Sequence, residues 1–578
     1  MWYVSLLEEA KKIRHLGSGM LKKEGGKTIF LRFRRYGEVK ELNTKNKKQN
    51  YMKTNKRSLF RVLPVMVAAA LFMVSCSSGS DEGAFIPKNA TGVMHFNVAS
   101  LCQKADLANA DNLQMMKSLH ESLQTLSPQG DKMVEAFMKD PSSCGIDFKQ
   151  PVCAFSEPFP ISEEDFNYNT EYSVVSAKIK NVKDFDKFIA DLEEVMGEKF
   201  KHRDTLGMTA LELGESELLA YDSKRLFFIE NVPIMISQMM DEPIDDVLTS
   251  TQYLAKLLSL KKDESLAGDK NFAQYLADRK DFSYYLVYGN MLKITVNPAI
   301  SLLNKFYTEE YLKQFDHAAM GIYGSFENGR IEVTTKAYGY PEELKKFGVQ
   351  KFNDELLAYL PAQTLAAFTL GLDMKATMEF FDKMNDEDKT FDEPLGIKEY
   401  TLRDLVNALG GSLAATFYGM QEGTPYFAAA VEVKDSKMVR DLLNEVAVNN
   451  GNVYTFDFFP AMQLVLNDKV AVLSTDPAVI ANAQAGGKSN GLMAVADKAK
   501  KGNYFYMDLN LEDWPEELLT LIGLNGTAVN SIVFNIFAMF DRIECETVDS
   551  ENGLCNIYLS NDKINSLAYI LQQVDKMI

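Results

Sequence analysis

One strand-turn-helix pattern occurs twice in this chain, offset by 254 positions, and that repetition restricts what the 578 residues can fold into more than any other feature. Residues 171–195 read EYSVVSAKIKNVKDFDKFIADLEEV, and residues 425–448 read PYFAAAVEVKDSKMVRDLLNEVAV. In the first copy Phe185, Phe188, Ile189 and Leu192 have the i, i+3, i+4, i+7 spacing that gathers apolar side chains on one helix face. Val439, Leu442, Leu443 and Val446 take the equivalent positions in the second. Asn181 and Asp435 stand at the two helix starts, where a short side-chain oxygen accepts from the free amides of the first turn.

The correspondence continues in the same order along the chain. TGVMHFNV (91–98) matches LAAFTLGL (365–372) as a strand, TALELGESELLAYD (209–222) matches AMQLVLNDKVAVLSTD (461–476) as a hairpin, and DFSYYLVYGN (281–290) matches NYFYMDLN (503–510). GIYGSFENGRIEVTTKAYG (321–339) and AMFDRIECETVDSENGLCNIYLS (538–560) each carry Glu-Asn-Gly at a turn, because Asn-Gly tolerates positive φ and closes a tight hairpin. Antiparallel hairpins mixed with amphipathic helices make an α+β arrangement, and the repeat is too long for a solenoid unit. The expected architecture is two tandem similar α+β domains, 86–345 and 352–578, each an antiparallel sheet of hairpins covered by helices. Between Pro243 and Lys280 the first copy holds extra Leu-, Lys- and Asp-rich material, expected to be helical.

The stretch before residue 86 follows different rules. Met52 opens a short basic segment that includes Lys53, Lys56, Arg57 and Arg61, and an uncharged apolar run follows from Leu63 to Val74. Roughly a dozen residues is too short to cross a bilayer, which takes about 20, but it suits the apolar core of an export signal. The run ends in Met73-Val74-Ser75-Cys76 and gives way to polar Ser77-Ser78-Gly79-Ser80-Asp81-Glu82. Small residues ahead of a cysteine resemble a bacterial lipobox. There the cysteine sulfur forms a thioether to a diacylglyceryl group, and cleavage frees its amine for a further acyl chain; two or more chains anchor durably. The expected segments are a mis-assigned upstream extension over 1–51, a signal peptide over 52–75, Cys76 as the lipidated residue, and a flexible tether over 76–85. Membrane is then a partner through the anchor, and the location is the cell envelope, at the outer membrane.

Charge divides the chain at the same point. Residues 1–75 hold 17 Lys+Arg against 5 Asp+Glu, and from residue 76 onward the balance is 45 against 75. An acidic body repels phosphate, which argues against nucleic acid and against direct binding to a lipid surface.

Directly after the tether, Phe85-Ile86-Pro87-Lys88-Asn89-Ala90 with Val93, Asn97 and Leu101 makes an FIPxxAxxVxxxNxxxL opening. With the lipobox ahead of it, this opening resembles that of large Bacteroidota lipoproteins built on a domain of unknown function. The resemblance spans 76–578 and implies an envelope location. It implies no activity, substrate or catalytic residue.

Motifs for chemistry are weak. The chain has no HExxH, no GxSxG and no strand-borne GxGxxG, so no catalytic, cofactor-binding or metal residue is assigned and no cofactor is expected. Gly486-Gly487-Lys488-Ser489 ends like a phosphate loop, but Asn482 stands where its first glycine should be. His95, His120, His202 and His317 form no helical pair, and Asn385-Asp386-Glu387-Asp388 with Asp392-Glu393 lacks the sixth-position glycine of a calcium loop. Cysteine spacing fits no zinc site. Only Cys144/Cys153 and Cys545/Cys555 are near enough in sequence for local bridges, and the reading favours buried thiols over either. In Tyr454-Thr455-Phe456-Asp457-Phe458-Phe459-Pro460, Phe456 and Phe458 are expected to alternate onto one strand face. The functional expectation is a binding or scaffold protein rather than an enzyme, its partner another envelope protein or an extracellular ligand. The alternatives are a hydrolase with a carboxylate pair that spacing does not reveal, or a carrier of apolar molecules.

Overall fold

The computed structural model describes residues 82–577, apart from 161–168, 234–247, 296–312, 343–350, 385–391, 493–494, 522–523, 525–527 and scattered single positions. The signal, Cys76 and most of the tether lie outside the described residues.

The first ten strands are β1 (Gly92–Phe96), β2 (Val152–Pro160), β3 (Asn169–Lys178), β4 (Lys201–Thr205), β5 (Met208–Glu212), β6 (Glu217–Tyr221), β7 (Arg225–Pro233), β8 (Phe282–Leu286), β9 (Ala319–Glu327) and β10 (Arg330–Tyr338). They pair in the order β4-β5-β6-β7-β3-β2-β1-β8-β9-β10, antiparallel throughout. The next ten are β11 (Ala366–Gly371), β12 (Leu409–Gln421), β13 (Thr424–Val433), β14 (Val448–Asn450), β15 (Val453–Phe456), β16 (Phe459–Leu466), β17 (Val470–Ser474), β18 (Tyr504–Asp508), β19 (Phe540–Thr547) and β20 (Asn552–Leu559). Their order is β14-β15-β16-β17-β13-β12-β11-β18-β19-β20, the first order strand for strand.

β10 and β20 then pair with each other, from Arg330 opposite Tyr558 to Lys336 opposite Asn552, so all twenty strands among the described residues form one sheet. This corrects the tandem-domain expectation: the α+β class is consistent with the structure, but separate domains are not. The reason is the cost of edges. β10 and β20 would each present a row of unpaired amides and carbonyls at the margin of its own sheet, and pairing them satisfies both rows.

Five helices matter below: α1 (Val182–Met196), α2 (Ser250–Ser259), α3 (Lys270–Ala277), α4 (Ser436–Val446) and α5 (Pro477–Gln484). Asn181 caps α1 by accepting from the Lys183 amide at 3.1 Å, and Asp435 caps α4 by accepting from the amides of Lys437 and Met438 at 3.1 and 3.0 Å. α1 buries Phe185 and Ile189; α4 buries Met438, Val439 and Leu442 and leaves Val446 exposed. Side-chain alternation gives each strand two faces. On one face Val93, Phe155, Tyr172, Phe227 and Tyr285 pack with Tyr253 and Leu257 of α2 and Phe272 and Tyr275 of α3. Ala367, Ala414, Val472 and Tyr504 pack with Val479 and Ile480 of α5 in a second core. The extra material between Pro243 and Lys280 therefore supplies, where described, the two helices that close the first core. Among the described residues no helix is long and apolar enough to cross a membrane.

Two turn expectations change. Asn328 and Gly329 join β9 to β10, with Gly329 at φ 69°. In the second copy Asn552 and Gly553 instead begin β20, and the turn moves back to Asp549, whose carboxylate accepts the amides of Glu551 and Asn552 at 2.8 and 2.9 Å. That local Asp turn outcompetes Asn-Gly. Phe456 is buried at the end of β15, whereas Phe458 sits in the turn before β16 and is 76% exposed. The two rings do not share a strand face, because two turn residues separate the strands.

Candidate functional site

Among the described residues, two of the cavities with charged side chains and aromatic walls also hold arginine. The first, about 490 Å³, lies where the described chain begins and is lined by Glu82, Phe85, Cys153, Lys178, Arg225 and Phe227, among others. Glu82 accepts from Arg279 Nη1 at 2.6 Å, and both side chains are almost fully buried. His95 on β1 lies beside this pair. Its Nδ1 is 2.9 Å from the Tyr275 hydroxyl, and its Nε2 is 3.8 Å from Glu82 Oε2. Burial, reinforced by the Arg279 charge, pushes the His95 pKa well below 6.5, so the ring is neutral. Burial also pushes the Glu82 carboxyl up, against the pull of Arg279 and Lys178. His95 Nε2 and Glu82 Oε1 are buried without a hydrogen-bond partner.

The second cavity, about 700 Å³, lies at one end of the β10–β20 seam. Register sets Arg330 on β10, Tyr558 on β20 and Arg542 on β19 side by side. The Arg542 guanidinium lies 3.9 Å from the Tyr558 ring centroid, a stacking contact that desolvation strengthens. Arg542 donates to Glu544 at 2.6 Å and also pairs with Asp541; Arg330 donates to Glu332 at 3.3 Å. Burial pushes the Glu544 carboxyl up, but Arg542 and Lys498 outweigh it and hold the group below its ordinary range. Phe534, Phe540 and Leu511 supply an apolar wall. Paired in this way, the charges offer directional hydrogen bonds and a stacking surface rather than a strong net field.

A family described as a domain of unknown function (DUF4836) matches residues 83–567. The chain belongs to the DUF4836 family. Comparison with curated proteins and with solved structures found no match. The DUF4836 match begins next to Glu82, spans nearly all the lining of both cavities and stops short of Cys76.

Within the DUF4836 region the opening motif does structural work. Phe85 lies 4.4 Å beneath the Arg225 guanidinium, Ile86, Ala90 and Val93 are core residues, and Asn97 accepts from the Ser100 amide at 2.8 Å to start the next helix. Pro87 bridges to Ser265, and the Ile86 carbonyl accepts from the Leu266 amide at 2.9 Å. The histidines do not converge. His95 joins Tyr275, His120 pairs with Asp131 at 2.5 Å, and His202 pairs with Glu193 at 2.8 Å. Asn385-Asp386-Glu387-Asp388 lies outside the described residues, and Asp392 is bound by Arg403 at 2.6 Å. Gly486-Gly487-Lys488-Ser489 follows the carboxyl end of α5, the end with the wrong dipole for phosphate. Its Lys488 amide donates to Asn482 Oδ1 and its Ser489 amide to the Ala358 carbonyl, both at 2.9 Å.

Cys545 and Cys555 face each other across β19 and β20 and are joined by a disulfide, which overturns the preference for thiols at that pair. Cys144 and Cys153 are buried thiols. Sequence reasoning missed Glu82 with Arg279, and Arg330 with Tyr558 and Arg542. Both sets are assembled by strand register and long-range packing, and the single local signal was the Asn-Gly immediately before Arg330.

Proposed function

We propose that this DUF4836 protein is a lipid-anchored component of a bacterial cell envelope that binds a partner or ligand without transforming it. The observation that carries the reading is the succession Met52 to Glu82: basic segment, uncharged apolar run, small residues, Cys76 and a polar tether, followed at once by the FIPxxA opening. Cys76 is the lipidated residue, the outer membrane is the location, and Bacteroidota is the source the opening resembles. The Cys545–Cys555 bridge supports an oxidising compartment outside the cytoplasm. The cavity at Arg330, Arg542 and Tyr558 supports the binding half, because its size is that of ordinary ligand sites and its polar groups converge on an aromatic ring.

The test joins location to binding. Membranes from cells carrying the full-length protein are fractionated, the mature N-terminal peptide is weighed, and partners are captured after cross-linking. The wild type is expected to sediment with outer membrane and to carry acyl mass on Cys76, while Cys76→Ala is released or left unprocessed. An Arg330→Glu variant is expected to keep the acyl mass and lose the cross-linked partner. A mature chain that retains the apolar run, or an unmodified Cys76, overturns the anchor; a partner captured equally by Arg330→Glu overturns the cavity as its site.

A further inference from the structure

We infer that the rim of the Glu82 cavity is the surface this protein lays on the phosphate-bearing headgroups of the membrane that holds it, an inference that rests on Cys76 as the anchor. Two independent observations meet at that rim. The first is reach. Five residues separate Cys76 from Glu82, which spans about 20 Å even when fully extended. Glu82 itself is fixed in the body by its 2.6 Å ion pair with Arg279. A lipid on Cys76 therefore holds the end of the body bearing Glu82 against the bilayer.

The second observation is local charge. Lys149, Lys178, Lys180, Lys183, Lys224 and Arg225 gather around this end. β3–β7 pairing sets Lys178 opposite Arg225. The Ile179 amide donates to the Lys224 carbonyl at 2.9 Å, the Asp147 amide to the Lys178 carbonyl at 2.8 Å, and the Lys180 amide to the Gly145 carbonyl at 2.9 Å. Lys149, Lys180, Lys183 and Lys224 are exposed. The acidic groups on the same loops and the first turns of α1 are Asp147, Asp184, Asp186 and Asp222, four against the six basic side chains, and Asp186 accepts from the Tyr221 hydroxyl at 2.8 Å. Of these, Asp184 accepts from Asn181 at 2.6 Å, and Asp222 accepts the amides of Lys224 and Arg225 at 2.6 and 2.7 Å. Glu82 and Arg279 offset each other.

The rim is net positive on a body that is strongly acidic as a whole. The average charge, which argued against a lipid surface, does not describe this end. Near an anionic layer such a molecule turns its basic end inward and its acidic remainder away, and the tether delivers that same end. Location and orientation then follow from one stretch of chain.

The experiment uses full-length protein purified from membranes, with Cys76 acylation read by intact mass. It is returned to vesicles that are wholly zwitterionic or contain about one third anionic lipid, and surface lysines are acetylated over a time course. In anionic vesicles Lys149, Lys180, Lys183 and Lys224 are expected to react at least about threefold more slowly than in detergent, while exposed Lys375 and Lys437 are unchanged. About 1 M salt, where the Debye length is about 3 Å, is expected to remove the protection. A Lys180→Glu/Lys224→Glu variant is expected to keep its acyl mass and lose protection at Lys149 and Lys183. Equal rates in vesicles and detergent with Cys76 acylated overturn the inference and leave the anchor standing; an unmodified Cys76 overturns both. Protection in detergent by inorganic phosphate alone also overturns it, since the rim is then a site for the free anion.

Discussion

Lys256 of α2 inserts its ammonium between the two oxygens of Glu157 on β2, at 2.6 and 2.8 Å, and the Glu157 side chain has no exposure to solvent. One turn earlier Tyr253 donates to the same carboxylate at 2.7 Å while its ring stacks on Tyr172 at 4.0 Å. Removing the cation leaves a buried charge with one neutral donor. Lys256→Met is therefore expected to cost about 3–5 kcal/mol in urea unfolding, and Glu157→Gln/Lys256→Met to recover most of it. A single-variant loss below about 1 kcal/mol would show that water reaches the pair.

The buried histidine gives stability a pH dependence with a defined sign. His95 has its folded pKa well below 6.5, so as pH falls the unfolded chain takes up a proton first. Stability from this group is full above 6.5 and declines as pH falls from 6.5 toward the folded value. Glu82, whose folded pKa is raised, contributes stability that is lost as pH rises from 4.5 through its folded value, which is the opposite slope. His95→Gln is expected to flatten the fall in melting temperature between about pH 7 and pH 5. Parallel curves for the two proteins would mean that the ring takes up its proton as readily inside the fold as in the unfolded chain.

The Cys545–Cys555 bridge closes a short loop on strands already paired in register. Loop-closure entropy gives it about 2–3 kcal/mol. Denaturant midpoints with and without reductant check this, and Cys545→Ser/Cys555→Ser is expected to match the reduced protein. An unchanged midpoint would mean that the pair is not bridged in solution.

Two phenylalanines separated by one residue should behave very differently. Phe456→Ala empties a core position and is expected to cost about 3–5 kcal/mol, whereas Phe458→Ser at the exposed turn should stay within about 0.5 kcal/mol. Equal costs would return Phe458 to a buried strand face.

The sequence carried its local structure openly. Asn181 and Asp435 cap helices because a short acceptor before an apolar stripe has one good use, and Phe185 and Ile189 are buried because their spacing permits one face. Pairing between distant strands left no such mark. Val333 and Cys555 are ordinary alternating strand residues whose partners are set by what happens at two margins more than 200 positions apart. The same holds for the cavities: Glu82 and Arg279 are 197 positions apart, and nothing in either neighbourhood marks the other as its counter-ion. Even the second Asn-Gly misled, since Asp549 captured the turn first.

The strand order also decides how copies of this protein treat one another. Molecules held in a thin layer collide far more often than molecules in bulk, and any open backbone ladder invites a neighbour to zip on and start a fibre. Among the described residues the sheet terminates in β4, five residues that include Lys201, Arg203 and Asp204, and in β14, three exposed residues. Having paired its long ladders with each other, the described chain leaves only these two short margins as templates for the addition of a further strand.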